Sequence, residues 1–99
     1  MIAICPNPFR DKGCELSRRI AALLNEHGYE TCYCPIFADE GDAVLPQNLS
    51  FRQMSELVGA CSLIIVIGGD GTILHTARQI HPHSVPLLGI NLEIGRAHV

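Results

Sequence analysis

The sequence has no long apolar run, few basic residues and no paired cysteine motif, and each absence excludes a class of protein. No apolar run in the 99 residues approaches the about 20 residues that span a bilayer, so we expect no membrane partner. Lys and Arg number 7 against 10 Asp and Glu, and this balance disfavours nucleic acid as a partner. No basic segment precedes the apolar residues 2–5, so we expect no signal peptide.

The five cysteines form no CxxC pair. An odd number without paired spacing is typical of reduced, packed thiols and favours a cytoplasmic location. Cys32 and Cys34 stand one residue apart in a strand-like segment. We expect them to point to opposite faces and therefore not to grip one metal ion. No set of metal-ligating residues is predicted.

The composition that remains is that of one small globular domain. Hydrophobic residues make up 47% of the chain and charged residues 17%, which suits a single packed core. Short apolar segments at 2–5, 31–34, 62–67 and 85–90 are typical of strands. The segment 62–67 is almost wholly apolar, as expected for a central parallel strand that is covered on both faces.

Three helices are predicted between these strands. Helical spacing gives the first and third an apolar face. These faces contain Leu16, Ile20, Leu23 and Leu24 in the first helix, and Ile73, Leu74, Ala77 and Ile80 in the third. Ser50 and Gln53 form a capping-box pattern at the start of the second helix. Gly28 ends the first helix and Gly59 the second. The βαβαβαβ alternation predicts an α/β fold, with a parallel sheet and helices on both of its faces.

A glycine-rich motif, Gly68-Gly69-Asp70-Gly71-Thr72, lies between the most apolar strand and the third helix. Ligands of open α/β sheets bind beyond the carboxyl ends of the strands. Glycines let backbone N–H groups approach phosphate oxygens, and the helix directs its positive end to the same place. Thr72 adds a hydroxyl donor, and Asp70 adds a carboxylate that can accept a proton or orient a metal-bound water. The motif therefore predicts a phosphate-binding loop.

The motif has other possible interpretations. Asp70 could simply cap the helix while the glycines make a tight turn, but the position between a buried strand and an amphipathic helix favours phosphate binding. The motif is neither the GxxxxGK loop of P-loop NTPases nor the GxGxxG pattern, so hydride-transfer dehydrogenases are disfavoured.

The motif, continued by residues 73–78 and followed by Leu88-Gly89-Ile90-Asn91-Leu92, resembles the NAD kinase family. Diacylglycerol- and sphingosine-type lipid kinases share the GGDG core but usually carry Asn-Glu where this chain has Ile73 and Leu74. Phosphofructokinases usually carry Ser in place of Thr72. The downstream segment 88–92 favours NAD kinase. The resemblance covers residues 1–92 and implies a Rossmann-like nucleotide-binding domain, the truncated N-terminal domain of a two-domain kinase.

The resemblance implies transfer of a phosphoryl group from ATP or another donor to the adenosine 2′-hydroxyl of NAD, giving NADP, with a divalent metal such as Mg²⁺. Asp70 matches the family's proton acceptor. Asp70, Gly71 and His75 match NAD contacts, while Gly68, Gly69 and Thr72 would line the donor phosphates. Asn91 ends a strand on the ligand side, where it either caps the chain turn or contacts the nucleotide.

The chain departs from the family after Leu92. The family continues into a β-rich second domain with an Asn-Glu motif that grips NAD, whereas residues 93–99 here are what the adapter sequence GAG ATC GGA AGA GCA CAC GTC encodes. We interpret residues 1–92 as an incomplete nucleotide-binding domain and residues 93–99 as a non-native tail. The fragment alone is expected to be inactive, and the full-length protein to be a homo-oligomer. A lipid kinase domain and a non-catalytic nucleotide-binding module are the alternatives.

Overall fold

The computed structural model describes residues 1–7, 10–34, 52–81 and 83–92. Four strands form one sheet. They are β1 (Ile2–Cys5), β2 (Thr31–Tyr33), β3 (Leu63–Gly68) and β4 (Leu87–Asn91). All neighbouring strands are parallel, and their order is β2-β1-β3-β4. The α/β class with a parallel sheet is therefore confirmed.

Three α-helices connect these strands. They are α1 (Glu15–Glu26), α2 (Met54–Leu57) and α3 (Asp70–Ile80), and a short 3-10 turn at Lys12–Cys14 leads into α1. Gly28 has a φ of 87°, and its N–H donates to the Asn25 carbonyl at 3.0 Å. This left-handed turn is the helix end that glycine permits at no steric cost, so the predicted role of Gly28 is confirmed. In the described ranges no helix is long and apolar enough to cross a membrane.

The core consists of two apolar layers, one on each face of the sheet. Neighbouring residues of a strand point to opposite faces, so β1 and β3 supply both layers. One layer contains Ala3, Cys5, Ile64 and Val66 with Leu57 and Ile80, and the other contains Ile2, Ile4, Ile65 and Ile67 with Ala21. The helices α2 and α3 therefore cover one face and α1 covers the other. This double cover explains why the central strands are apolar at consecutive positions.

The buried face of each long helix agrees only in part with the predicted one. In α1 the buried residues are Ser17 and Ala21, whereas Leu23 is 56% exposed. The predicted residues Leu16, Ile20 and Leu24 do pack against the core, and the small side chains of Ser17 and Ala21 let the helix backbone approach the sheet closely.

In α3 the buried residues are Thr72, Thr76 and Ile80. The prediction that Leu74 and Ala77 face the core is wrong, because both are exposed. Hydrogen bonds satisfy the two buried hydroxyl groups, which removes the cost of placing them inside.

The second helix is shorter than the sequence predicts. Gln53 has an extended backbone with a ψ of 148° and directly precedes α2. The prediction that Gln53 lies inside the first helical turn is therefore wrong. Ser50, its proposed capping partner, lies outside the described residues. The single turn of α2 still contributes Leu57, which is fully buried.

The cysteines serve as packing groups. Cys32 and Cys34 lie in the same apolar layer as Cys5, so the expectation that they face opposite ways is wrong: residues two apart in a strand share a face. All five cysteines are free thiols. A hydrogen bond with Cys34, together with burial, raises the pKa of Cys5 far above its ordinary value. Burial also raises the pKa of Cys32 and of Cys61.

The order of the strands reverses between β1 and β3. The chain runs from β1 outward to β2 and then returns to the other side of β1 to form β3. Ligands of open parallel sheets bind beyond the carboxyl ends of the strands at such a point. Pro6 and Asn7, which follow β1, and Gly69, which follows β3, therefore border the candidate site.

Candidate active site

The motif 68–72 is a strand-to-helix junction rather than a separate loop. Gly68 is the last residue of β3, and Gly69 alone separates it from α3. The Gly69 carbonyl accepts a hydrogen bond from the Ile73 N–H at 3.1 Å, so Gly69 is the N-cap residue. The first N–H groups of a helix have no partner inside the helix, and its dipole makes that end positive. The junction therefore offers donors and positive potential to an anion such as phosphate.

Asp70 is the first residue of α3 and is exposed. Its Oδ1 accepts a hydrogen bond from Asn91 Nδ2 at 2.7 Å. The N-cap position is Gly69, which has no side chain with which to cap the helix. The alternative in which Asp70 acts as the helix cap is therefore wrong. The carboxylate is oriented by a side chain from the neighbouring strand instead.

Asn91 reaches Asp70 because of the sheet register. It is the last residue of β4 and is paired with Gly68, the last residue of β3. Two parallel neighbouring strands end at the same edge, so the side chain of one meets the first helical turn after the other. The sequence left two roles open for Asn91, a turn cap or a nucleotide contact. The structure adds a third, which is to hold the Asp70 carboxylate.

Thr72 is almost fully buried at the junction. It is 6% exposed, and its Oγ1 accepts a hydrogen bond of 2.9 Å from Nδ2 of Asn7. Asn7 follows β1 and is also 6% exposed. Sequence reasoning missed Asn7. Its position after a buried strand, on the same edge as the glycine motif, is the one signal that could have found it.

Glycine stands at positions 68 and 71 of the motif for different physical reasons. A Cβ on Gly68 would lie 2.6 Å from Thr72 Oγ1 and 2.8 Å from Thr72 Cβ, so glycine is needed there for α3 to approach β3. A Cβ on Gly71 would meet nothing within 4 Å, and Gly71 has no positive φ. Glycine inside a helix costs about 1 kcal/mol relative to alanine. Neither packing nor backbone conformation explains Gly71, and open space at this position leaves room for a ligand.

His75 lies further along α3 and is exposed. Its Nε2 is 3.1 Å from Nε2 of Gln79, one turn later in the helix. Five residues of an α-helix turn the chain by about 140° beyond one full turn and advance it by about 7.5 Å. His75 therefore lies on a different side of the helix from Asp70, and a ligand that touches both must lie along the helix surface.

A divalent cation fits this site only together with ligand phosphates. In the part of the chain that the structure describes, no three His, Cys, Asp or Glu side chains are grouped so that they could hold a metal ion. Mg²⁺ at phosphoryl-transfer sites is usually held by one or two carboxylates, substrate phosphates and waters. Asp70 can supply one such carboxylate.

Comparison with known proteins identifies the family. The sequence model of the ATP-NAD kinase N-terminal domain family matches residues 2–97. The chain belongs to the NAD kinase family. The match confirms the resemblance seen in the sequence and favours this family over the lipid kinases that share the GGDG core. It also extends into the segment 93–99, which lies outside the described residues.

Individual NAD kinases agree with this assignment. The chain is 35% identical over 91 residues to an NAD kinase of Chloroflexus aurantiacus, covering 92% of this chain and 29% of that protein. It is 35% identical over 92 residues to an NAD kinase of Natranaerobius thermophilus, covering 92% of this chain and 30% of the relative. A Teredinibacter turnerae NAD kinase is 39% identical over 75 residues, covering 75% of this chain and 24% of the relative. The chain thus spans under a third of the length of these relatives.

Proposed function

We propose that residues 1–92 are the N-terminal part of an NAD kinase, which transfers a phosphoryl group from ATP or another donor to the adenosine 2′-hydroxyl of NAD. The observation that carries this proposal is the start of α3, where Asp70 is exposed and oriented by Asn91 next to Gly71, which leaves open space. A fixed carboxylate beside a helix N-terminus is suited to a hydroxyl nucleophile and a phosphate electrophile together.

In this mechanism Asp70 is the proton acceptor. Asn91 occupies Oδ1, which leaves Oδ2 to accept the proton of the 2′-hydroxyl. The hydroxyl oxygen forms the new bond to the terminal phosphorus of the donor, and the bond from that phosphorus to the leaving phosphate oxygen breaks. Phosphoryl transfer has a loose transition state, so positioning matters more than the strength of the base.

The first turn of α3 supplies charge stabilisation. Its N–H groups and the helix dipole act on the donor phosphates, and Gly68, Gly69 and Thr72 border them in this proposal. Gly71 allows the NAD ribose to approach the backbone closely, and His75 contacts the nucleotide further along the helix. Asn91 orients Asp70, contacts the nucleotide, or does both. A divalent cation such as Mg²⁺, held by the donor phosphates and waters, would neutralise phosphate charge.

The test uses the full-length protein that contains residues 1–92. It is incubated with NAD, ATP and Mg²⁺, and NADP is measured with an NADP-specific dehydrogenase. We expect NADP to form with the full-length protein and not with the 99-residue chain, because the chain spans only 29% of a curated NAD kinase. Phosphorylation of diacylglycerol or sphingosine would instead support the lipid kinase alternative. Binding of ATP without transfer to any of these acceptors would support a non-catalytic module.

We also infer that the full-length protein is a cytoplasmic homo-oligomer and that residues 93–99 are not native. The five free thiols suit a reducing compartment. Light scattering of the full-length protein tests the oligomeric state, and a monomer at working concentration would contradict it.

Deletion of residues 93–99 from the 99-residue chain should leave its melting temperature unchanged. A large drop would show that the segment belongs to the domain.

A further inference from the structure

The candidate site contains a second ordered contact, between Asn7 and Thr72. Nδ2 of Asn7 donates to Oγ1 of Thr72 at 2.9 Å, and the two residues are 65 positions apart in the chain. Asn7 follows β1 and Thr72 lies in the first turn after β3, so the bond crosses the point at which the strand order reverses. We propose that Asn7 is a positioning residue that orients the Thr72 hydroxyl as a hydrogen-bond donor to the terminal phosphates of the phosphoryl donor. This inference rests on the proposed assignment of Thr72 to those phosphates.

The backbone carbonyl of Asn7 is held by two hydrogen bonds. Its carbonyl accepts hydrogen bonds from the N–H of Arg10 at 3.0 Å and of Asp11 at 2.8 Å. The buried Asp11 carboxylate in turn accepts from the N–H groups of Leu16 and Ser17, both at 2.9 Å. Asn7 is thereby tied, through Asp11, to the first turn of α1. The backbone of Asn7 is consequently restrained at the point from which its side chain contacts Thr72.

Thr72 is held equally firmly. The absence of a side chain on Gly68 lets Thr72 lie directly against the end of β3. The backbone carbonyl of Thr72 accepts a hydrogen bond from Oγ1 of Thr76 at 2.9 Å. With the backbone fixed on both sides, the remaining freedom at Thr72 is the direction of its hydroxyl proton.

The amide of Asn7 decides that direction. A hydroxyl has one proton to donate and two lone pairs. Because Asn7 donates, Oγ1 of Thr72 uses a lone pair in this contact and retains its proton for another acceptor. Phosphate oxygens are acceptors only, so they take that proton. An acceptor at position 7 would instead draw the proton inward, away from the ligand.

The ligand chemistry follows from this polarity. The site would favour a polyanion whose terminal group is rich in acceptor oxygens, such as a nucleoside triphosphate or an inorganic polyphosphate. A merely structural role for Asn7 needs only a filled space and a satisfied hydrogen bond. Asn7→Asp separates the two roles, because it keeps the size of the side chain and reverses its hydrogen-bonding polarity.

The experiment measures the Kd of MgATP by calorimetry on the full-length protein, and the KM values for ATP and NAD in the same variants. The variants are Asn7→Ala, Asn7→Asp, Thr72→Val and the double variant Asn7→Ala/Thr72→Val. Ile80→Ala is the matched control, because Ile80 is buried in the same helix at the end far from Thr72. Melting temperatures are recorded for all variants.

We expect Asn7→Ala and Asn7→Asp each to raise the Kd and KM for ATP by about tenfold to a hundredfold, the loss typical of a hydrogen bond to a charged group. The KM for NAD should change by less than about threefold. In the Thr72→Val background Asn7→Ala should add no further loss, because the hydroxyl that it orients is gone. Ile80→Ala should lower the melting temperature and leave the Kd of ATP unchanged.

Each other outcome overturns the inference. Equal losses from Asn7→Ala in both backgrounds would show that Asn7 does not act through Thr72. An unchanged Kd of ATP in a folded Asn7→Asp variant would show that the polarity of the contact is irrelevant. Should Asn7→Ala not fold, Asn7→Asp and Thr72→Val decide alone. Failure of the proposed function is distinct, because it appears in the unsubstituted protein as ATP binding without NADP formation.

Discussion

Asn91 Nδ2 donates a hydrogen bond of 2.7 Å to Asp70 Oδ1 across 21 positions of the chain. One residue ends β4 and the other begins α3. The parallel pairing of Gly68 with Asn91 brings them together. A carboxylate that accepts such a bond has one oxygen fixed in space and the other available for a proton. The relationship assigns Asn91 to the orientation of the proposed catalytic residue.

Substitution of Asn91 tests this relationship. Asn91→Ala in the full-length protein should lower kcat by up to about a hundredfold, because a misplaced catalytic group loses its alignment with the nucleophile. The KM for NAD should change little. Leu88→Ala is the matched control, since Leu88 lies in the same strand and is 50% exposed, and it should leave kcat unchanged. A rise in the KM for NAD at constant kcat would show that Asn91 is a nucleotide contact instead.

Asp70→Asn removes the negative charge and the proton-accepting ability while keeping the shape of the side chain. We expect kcat to fall by a factor of about 10² to 10⁴, the usual contribution of a positioned general base. The affinity for NAD should fall much less, because an amide still hydrogen-bonds a ribose hydroxyl. Steady-state kinetics with a melting curve provide the measurement. Near-normal kcat in the folded variant would remove Asp70 from the catalytic role.

His75→Ala should show the opposite kinetic pattern. His75 is exposed on α3, on a different side of the helix from Asp70, so its proposed role is contact with the nucleotide. Loss of a binding contact raises KM more than it lowers kcat. Gln79→Ala serves as the control, because Gln79 lies beside the His75 ring and is not proposed to contact the nucleotide. A larger loss in kcat than in KM would place His75 in the chemistry.

The two glycines Gly68 and Gly71 should respond differently to alanine. Gly68→Ala forces a Cβ to within 2.6 Å of Thr72 Oγ1, and such overpacking costs about 1–3 kcal/mol of unfolding free energy. Gly71→Ala meets nothing within 4 Å and should leave stability unchanged or raise it by up to about 1 kcal/mol. Gly71→Ala should nevertheless lower NADP formation, because its methyl group enters the space assigned to the ligand. Full activity of Gly71→Ala would contradict that assignment.

The thiols offer a test of the core. Burial raises the pKa of Cys61, so less of its reactive thiolate exists at a given pH, and labelling by a disulfide reagent should accelerate as the pH rises. Cys61 is only half-buried, whereas the other four cysteines are buried. Cys61 should therefore react first in the folded chain, and Cys61→Ser should remove that first phase. Rapid labelling of Cys32 or Cys34 without denaturant would contradict the packing described.

Several features of the site could be predicted from the sequence because they depend on local order along the chain. The motif 68–72 lies at the end of an apolar strand, and its place at the carboxyl edge follows from that order alone. The helix faces could be predicted only in part. Thr72 and Thr76 are buried although they are polar, because partners from elsewhere in the fold satisfy their hydroxyl groups. Hydrophobic periodicity contains no information about such partners.

The sequence by itself determined the element order, the parallel sheet, the glycine junction and the family, since each is written in contiguous residues. Only the tertiary structure decided which side chains meet at that junction. Asn7 joins Thr72, and Asn91 joins Asp70, because the strand order β2-β1-β3-β4 places β1 and β4 on either side of β3. That order depends on how the crossovers pack against the two faces of the sheet, which is a property of the whole domain and of no single segment.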